Sequence, residues 1–141
     1  MGLLDNYSGI GMSPRPKWQH QIAMSNFIAN ASREIRRKGL LILTEATVTN
    51  NWDDLAPDLV IFDKLFNPVS IIEITRTEQV NAIIDKCDEL IERFPYSEYF
   101  VYDYENKILY MFDVQADRWQ SSDDFELWSS YLSKPVIEYF Q

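Results

Sequence analysis

VSIIEIT, residues 69–75, is the stretch on which the fold turns. Val69, Ile71, Ile72 and Ile74 form a nearly unbroken run of β-branched side chains, the pattern of a strand covered on both faces. Glu73 interrupts it. A carboxylate buried alone costs several kcal/mol, so this one must be paired, protonated or bound to a cation. Working outward, LVIF (59–62) reads as a short buried strand and 40–49 as a longer one, with turns at 50–54 and 63–68. Downstream, Val80, Ile83, Ile84, Cys87, Leu90, Ile91 and Phe94 fall within an arc of about 120° on a helical wheel. The spacing predicts a helix over 79–94 that Pro95 stops. Strands are expected at 99–104 and 108–114, joined by a tight hairpin at Glu105-Asn106-Lys107.

Residues 1–13 hold three of the four glycines and read as a flexible arm. Ser13-Pro14-Arg15-Pro16 then sets up a helix over 17–38, because proline is tolerated in a first turn. Met24, Ile28, Ala31 and Ile35 are its expected buried face, His20 lies on the same stripe, and Gly39 is its stop. The aromatic tail, 117–141, allows a short helix capped by Ser122-Asp123-Asp124 and running to Leu132, with 136–139 extended. The order is α-β-β-β-α-β-β. A helical crossover joins parallel strands and short turns join antiparallel ones. The expectation is one α/β domain over 14–141, with a mixed central sheet flanked by helices.

Composition narrows the chemistry. The chain has 141 residues, 46% of them hydrophobic and 14% aromatic, enough for a core without staples. A net charge of −9 excludes a uniformly basic nucleic-acid clamp and a polybasic membrane-surface protein. Cys87 is the only cysteine and His20 the only histidine, so neither a disulfide nor a Cys/His zinc cluster can form within one chain. Oxygen ligands, and hence hard cations, remain. No apolar run approaches the roughly 20 residues of a spanning helix, and residues 1–13 lack a signal-peptide pattern, so a cytoplasmic location is expected.

Asp58 follows Pro57 at the start of LVIF, where proline holds the chain extended and removes a backbone donor. A hairpin-like loop would bring Asp58 beside Glu73. Two converging carboxylates and a strand carbonyl such as that of Ile74 make an oxygen cage suited to Mg²⁺ or Mn²⁺. Such an ion activates water and offsets phosphate charge in the transition state. Lys86 lies at the edge of the apolar arc, with Gln79 one heptad earlier on the same edge. From there an ammonium reaches the carboxylates while its stem packs. Each residue has a plainer reading: a turn aspartate, a strand glutamate paired with Arg76 or Lys64, a solvent-facing lysine paired with Glu89. Glu45 reads first as the polar face of an alternating strand, His20 as a hydrogen-bonded packing residue, and Cys87 as a core thiol.

Pro57-Asp58 and then Glu73, in an α-β-β-β-α-β order, resembles the PD-(D/E)xK nuclease superfamily, and so the restriction endonuclease-like αβββαβ core. More narrowly, residues 20–114 resemble the Uma2 family of proposed endonucleases. The stretches that carry this are the helix with His20, TEATV (44–48), APDLVIFD (56–63), IIEITRT (71–77) and EYFVYD (98–103), followed by a closing hairpin. The resemblance implies Mg²⁺- or Mn²⁺-dependent hydrolysis of nucleic acid, DNA first. Asp58, Glu73 and the Ile74 carbonyl would be the metal ligands. The superfamily pattern places lysine two positions after the glutamate, where this chain has Thr75 followed by Arg76. Uma2-like proteins also lack that lysine and carry one on the next helix, which Lys86 matches to within about a residue. The implied catalytic set is Asp58, Glu73 and Lys86, with Gln79, Glu45, Thr75, Arg76 and His20 in support.

Charge is unevenly spread. Between residues 15 and 39 six basic residues face one glutamate, and Arg33, Arg36 and Arg37 point away from the apolar stripe, where they could meet phosphates. The acidic remainder argues against strong duplex binding by a monomer, a difficulty that a homodimer or a partner protein would ease. Thr75, the acidic surface and the aromatic tail also fit a second reading: a catalytically degenerate member serving as a binding or assembly module.

Overall fold

Helix α1 (Trp18–Arg37) ends as its sequence predicts. Gly39 takes φ +76°, its N–H meets the Arg36 carbonyl at 2.9 Å, and the Leu40 N–H reaches back to Ile35 at 3.0 Å. That pair of bonds is a Schellman cap, which asks for glycine at the left-handed position. Gly39→Ala is therefore expected to cost about 1 kcal/mol, readable as a lowered melting temperature. The added methyl would displace only the flexible end of Lys64.

The structure, a computed structural model, describes residues 18–46 and 56–141. The expected arm at 1–13, the helix start at 13–16 and the turn at 50–54 lie outside the described residues. After α1 come β1 (Leu41–Thr44), β2 (Leu59–Phe62), β3 (Pro68–Thr75), a 3-10 turn (Thr77–Gln79) and α2 (Val80–Arg93). Strands β4 (Glu98–Asp103), β5 (Ile108–Asp113) and β6 (Arg118–Ser121) follow, then a 3-10 segment (Val136–Phe140). The six strands form one sheet in sequential order; β3 and β4 are parallel across the α2 crossover, and every other neighbouring pair is antiparallel. This is the mixed sheet flanked by helices, with the αβββαβ order expected.

Alternation along β3 divides the interior in two. Ile72 and Ile74 join Leu59, Ile61, Phe100 and Tyr102 beneath α1, while Ile71 joins Val60, Val101, Cys87 and Leu90 beneath α2. Glu73 shares the parity of Ile71, so it is directed to the α2 layer.

Four expectations change. The buried face of α1 is His20, Ala23, Phe27, Ala31 and Ile35, with Met24 and Ile28 only half-buried at its edge. The C-terminal segment widens that face: Phe27 packs on Tyr139 and Phe140, with ring centroids 5.7 and 5.0 Å away. Strand β1 ends at Thr44, where Glu45 adopts φ +51°, and residues 47–49 of the expected strand lie outside the described residues. No helix forms over 122–132; the turn after Ser121 carries Leu127 and Leu132 into the α1-side core instead. Residues 136–139, expected as extended, are coiled into the 3-10 segment that buries Val136 and Tyr139.

Candidate metal and phosphodiester site

The site forms where the β2 start meets the β3 end. The antiparallel register sets Leu59 against Ile72, which brings Asp58 level with Glu73. Asp58 Oδ2 accepts the Ile74 N–H at 2.7 Å, and the Asp58 N–H donates to Glu73 Oε1 at 3.2 Å. The Glu73 carboxylate thus fixes the Asp58 backbone, and the Asp58 carboxylate fixes the strand just after Glu73. From the α1 layer, His20 Nε2 approaches Asp58 Oδ2 at 3.2 Å. From the α2 layer, Lys86 Nζ meets Glu73 Oε2 at 2.5 Å. His20, Asp58, Glu73 and Lys86 form one chain of polar contacts across the end of the sheet.

Burial makes this chain unusual. Glu73 is 3% exposed, while the Lys86 side chain keeps a third of its surface in solvent. Desolvation, together with the negative charge of Asp58, raises the Glu73 carboxyl to about 7 against the opposing pull of Lys86. The hydrogen bond to Asp58 raises the His20 imidazole, although burial works the other way. Cys87, packed against the site from α2, is pushed up to about 12 by burial and stays a core thiol.

Removing Lys86 deletes the charge that lowers Glu73, so Glu73 in Lys86→Met holds its proton to higher pH. At pH 5 Glu73 is neutral in both proteins, and their stabilities in EDTA should nearly coincide. As pH rises through about 7 the wild type gains the ion pair and the variant does not, so the gap widens against the variant. Urea melts at several pH values check this; a gap that is constant with pH contradicts it.

The remaining candidates lie at varying distances from this chain. Thr75 is buried on the same face as Glu73 and brings no charge. Arg76 is paired with Glu78 at 2.5 Å. Gln79 is exposed at the end of the 3-10 turn. Glu45 is exposed, yet its backbone N–H binds the Asp58 carbonyl at 2.9 Å and its charge contributes to raising His20. One carboxylate escaped the sequence reading. Asp103, fully buried at the end of β4, accepts the Thr77 hydroxyl at 2.7 Å and the Glu105 and Asn106 N–H groups at 3.0 and 3.2 Å. It ties the hairpin to the start of α2, and an aspartate closing an apolar strand (FVYD) is the signal that could have found it.

Among the described residues no three His, Cys, Asp or Glu side chains gather as a preformed metal cluster. The donor set still suits one ion. Mg²⁺ is held by one or two carboxylates and completes its shell with water and substrate phosphate. Both polar groups of a residue leave an extended strand on the same side, so the Ile74 carbonyl turns toward Asp58 with its N–H. Glu73 Oε2 is buried and, among the described residues, meets the Lys86 ammonium.

No protein-family model matches the chain, and no curated protein matches it in sequence. Among solved structures, the fold is similar to that of an Anabaena variabilis protein described as a "putative nuclease belonging to DUF820". The TM-score is 0.68 at 14% identity, over 92% of this chain and 84% of the other. That likeness establishes a shared nuclease-like fold. No helix among the described residues is long and apolar enough to cross a membrane.

Proposed function

We propose that the chain is a divalent-metal-dependent endonuclease of the PD-(D/E)xK type, closest in design to Uma2-like proteins and acting on DNA. The observation that carries this reading is the contact between Lys86 and buried Glu73, with Asp58 hydrogen-bonded to Glu73 alongside. A lysine from the following helix thereby stands where Thr75 supplies no ammonium. The DUF820 likeness supports the same reading at the level of fold.

Asp58, Glu73 and the Ile74 carbonyl would hold Mg²⁺ or Mn²⁺. When bound, the ion supplies Lewis-acid polarisation of the phosphate and a more acidic water. His20 and the Ile74 N–H together hold Asp58 Oδ2, so Oδ1 would be the oxygen offered to the ion. Lys86, anchored by Glu73, can donate to the attacking water or to a phosphate oxygen. The arrangement places cations where phosphate charge develops, which is the main catalytic demand of phosphoryl chemistry. The test is nicking of supercoiled plasmid by the full chain. Activity with Mg²⁺ or Mn²⁺ that EDTA abolishes supports the reading; no nicking with either ion, or nicking that survives EDTA, overturns it.

A further inference from the structure

We infer that the outer face of α1 is the docking surface for the backbone of duplex DNA, with Arg33, Arg36 and Arg37 as its phosphate anchors. This inference rests on the endonuclease reading and names the surface that would hold its substrate.

Three observations converge on α1. The three arginines are exposed, and none is in an ion pair with a described residue. The neighbouring carboxylate, Glu34, is already engaged by the Tyr139 hydroxyl at 2.7 Å and by Lys38 at 3.1 Å. It therefore does not neutralise them. Residues 18–33 of the helix contain no carboxylate, in a chain whose net charge is −9.

Shape agrees with charge. At 100° per residue, Trp18, Ile22, Ser25, Ala29, Arg33 and Arg36 share one outward stripe. Ala29 and Ser32 are small, and with the arginines they border a hollow of about 410 Å³. A second hollow of about 310 Å³ continues from Ser32 and Arg36 to Leu40–Ile42. His20 leaves α1 on the opposite, buried face, at the helix end about 20 Å along the axis from the first of these arginines.

That separation selects the partner. A stiff duplex, with a persistence length of about 50 nm, can lie straight along the outer stripe from these arginines to the helix end that borders the site. A flexible strand would have to follow the surface between them. The uncharged stretch of α1 lets a duplex pass without repulsion.

The test is fluorescence anisotropy of a labelled DNA duplex with the full chain in EDTA, over a salt series. Each neutralised phosphate contributes about 0.9 to the slope of log K against log salt. The triple variant Arg33→Gln/Arg36→Gln/Arg37→Gln should bind with a slope shallower by about 3, and Arg36→Gln alone by about 1. The exposed positions predict unchanged melting temperatures. An unchanged slope overturns the inference, as does wild-type protein that fails to bind at the lowest salt. So does a single strand of the same sequence that binds tighter through the same arginines. Sedimentation showing that the triple variant instead breaks a dimer would assign the face to a second copy and overturn it too. The wild type separates the two claims: a wild-type chain that binds duplex with the expected slope but never nicks plasmid with Mg²⁺ or Mn²⁺ sinks the hydrolytic reading and leaves this surface standing.

Discussion

Plasmid nicking is expected to fall at least about a hundredfold in Glu73→Gln, with the fold intact. The amide matches the carboxylate in size and keeps an oxygen that can accept the Asp58 N–H now bound at 3.2 Å. It cannot supply the negative charge that faces Lys86 or holds a cation. The substitution mimics a protonated Glu73, and this carboxyl already sits at about 7. It should therefore cost no stability below about 4.5 and should favour the folded state increasingly as pH rises from there to about 7, where the unfolded wild type ionises this carboxyl and the folded wild type does not. The sign follows from direction: a carboxyl raised on folding makes the native chain lose stability as pH climbs toward its folded value. Gel-based nicking rates and urea melts of both proteins, side by side, read the two effects separately. Equal nicking rates would remove Glu73 from the chemistry.

The second large effect is structural. Phe27→Ala should lose about 3–5 kcal/mol in urea unfolding, because it deletes a fully buried ring that stacks the C-terminal segment against α1. Asn30 Nδ2 donates to the Tyr139 carbonyl at 2.9 Å and Asn26 Nδ2 to the Phe140 carbonyl at 3.2 Å, so those bonds would loosen with it. Against a total stability of roughly 5–15 kcal/mol, the loss leaves a marginal domain. Phe125, at 54% exposure in the same tail, provides the contrast: Phe125→Ala should change stability by less than about 0.5 kcal/mol. A Phe27→Ala loss below about 1 kcal/mol would mean that the tail does not close the core.

These two residues also mark what could be read from sequence and what could not. β2, β3, α2 and the β4–β5 hairpin follow from local periodicity, since each buries a face against elements close in sequence. Glu73 and Asp58 were legible because a polar residue in an apolar run and a proline before a strand are local signals, and the antiparallel register then brings them level. The stripe of α1 was legible at His20, Ala31 and Ile35 but not at Phe27, which owes its burial to rings more than a hundred positions away. The tail was misread for a related reason. Ser122-Asp123-Asp124 resembles a helix cap, but Ser129 and Ser130 bond instead to Glu98 at 2.6 and 2.7 Å, and Leu127 and Leu132 sink into the core. β6, only four residues long and mostly polar, gave no period to detect. Asp103 was overlooked because an aspartate before a turn is common, and nothing local says that it will be fully enclosed.

Calorimetric titration of the full chain with Mn²⁺ addresses the metal directly, without substrate. The geometry predicts one saturable binding event that Asp58→Asn and Glu73→Gln each abolish, while Arg76→Gln, whose ion pair among the described residues is with Glu78, leaves it in place. No heat of binding in the wild type, or binding that both carboxylate variants retain, would contradict a shared cation between β2 and β3.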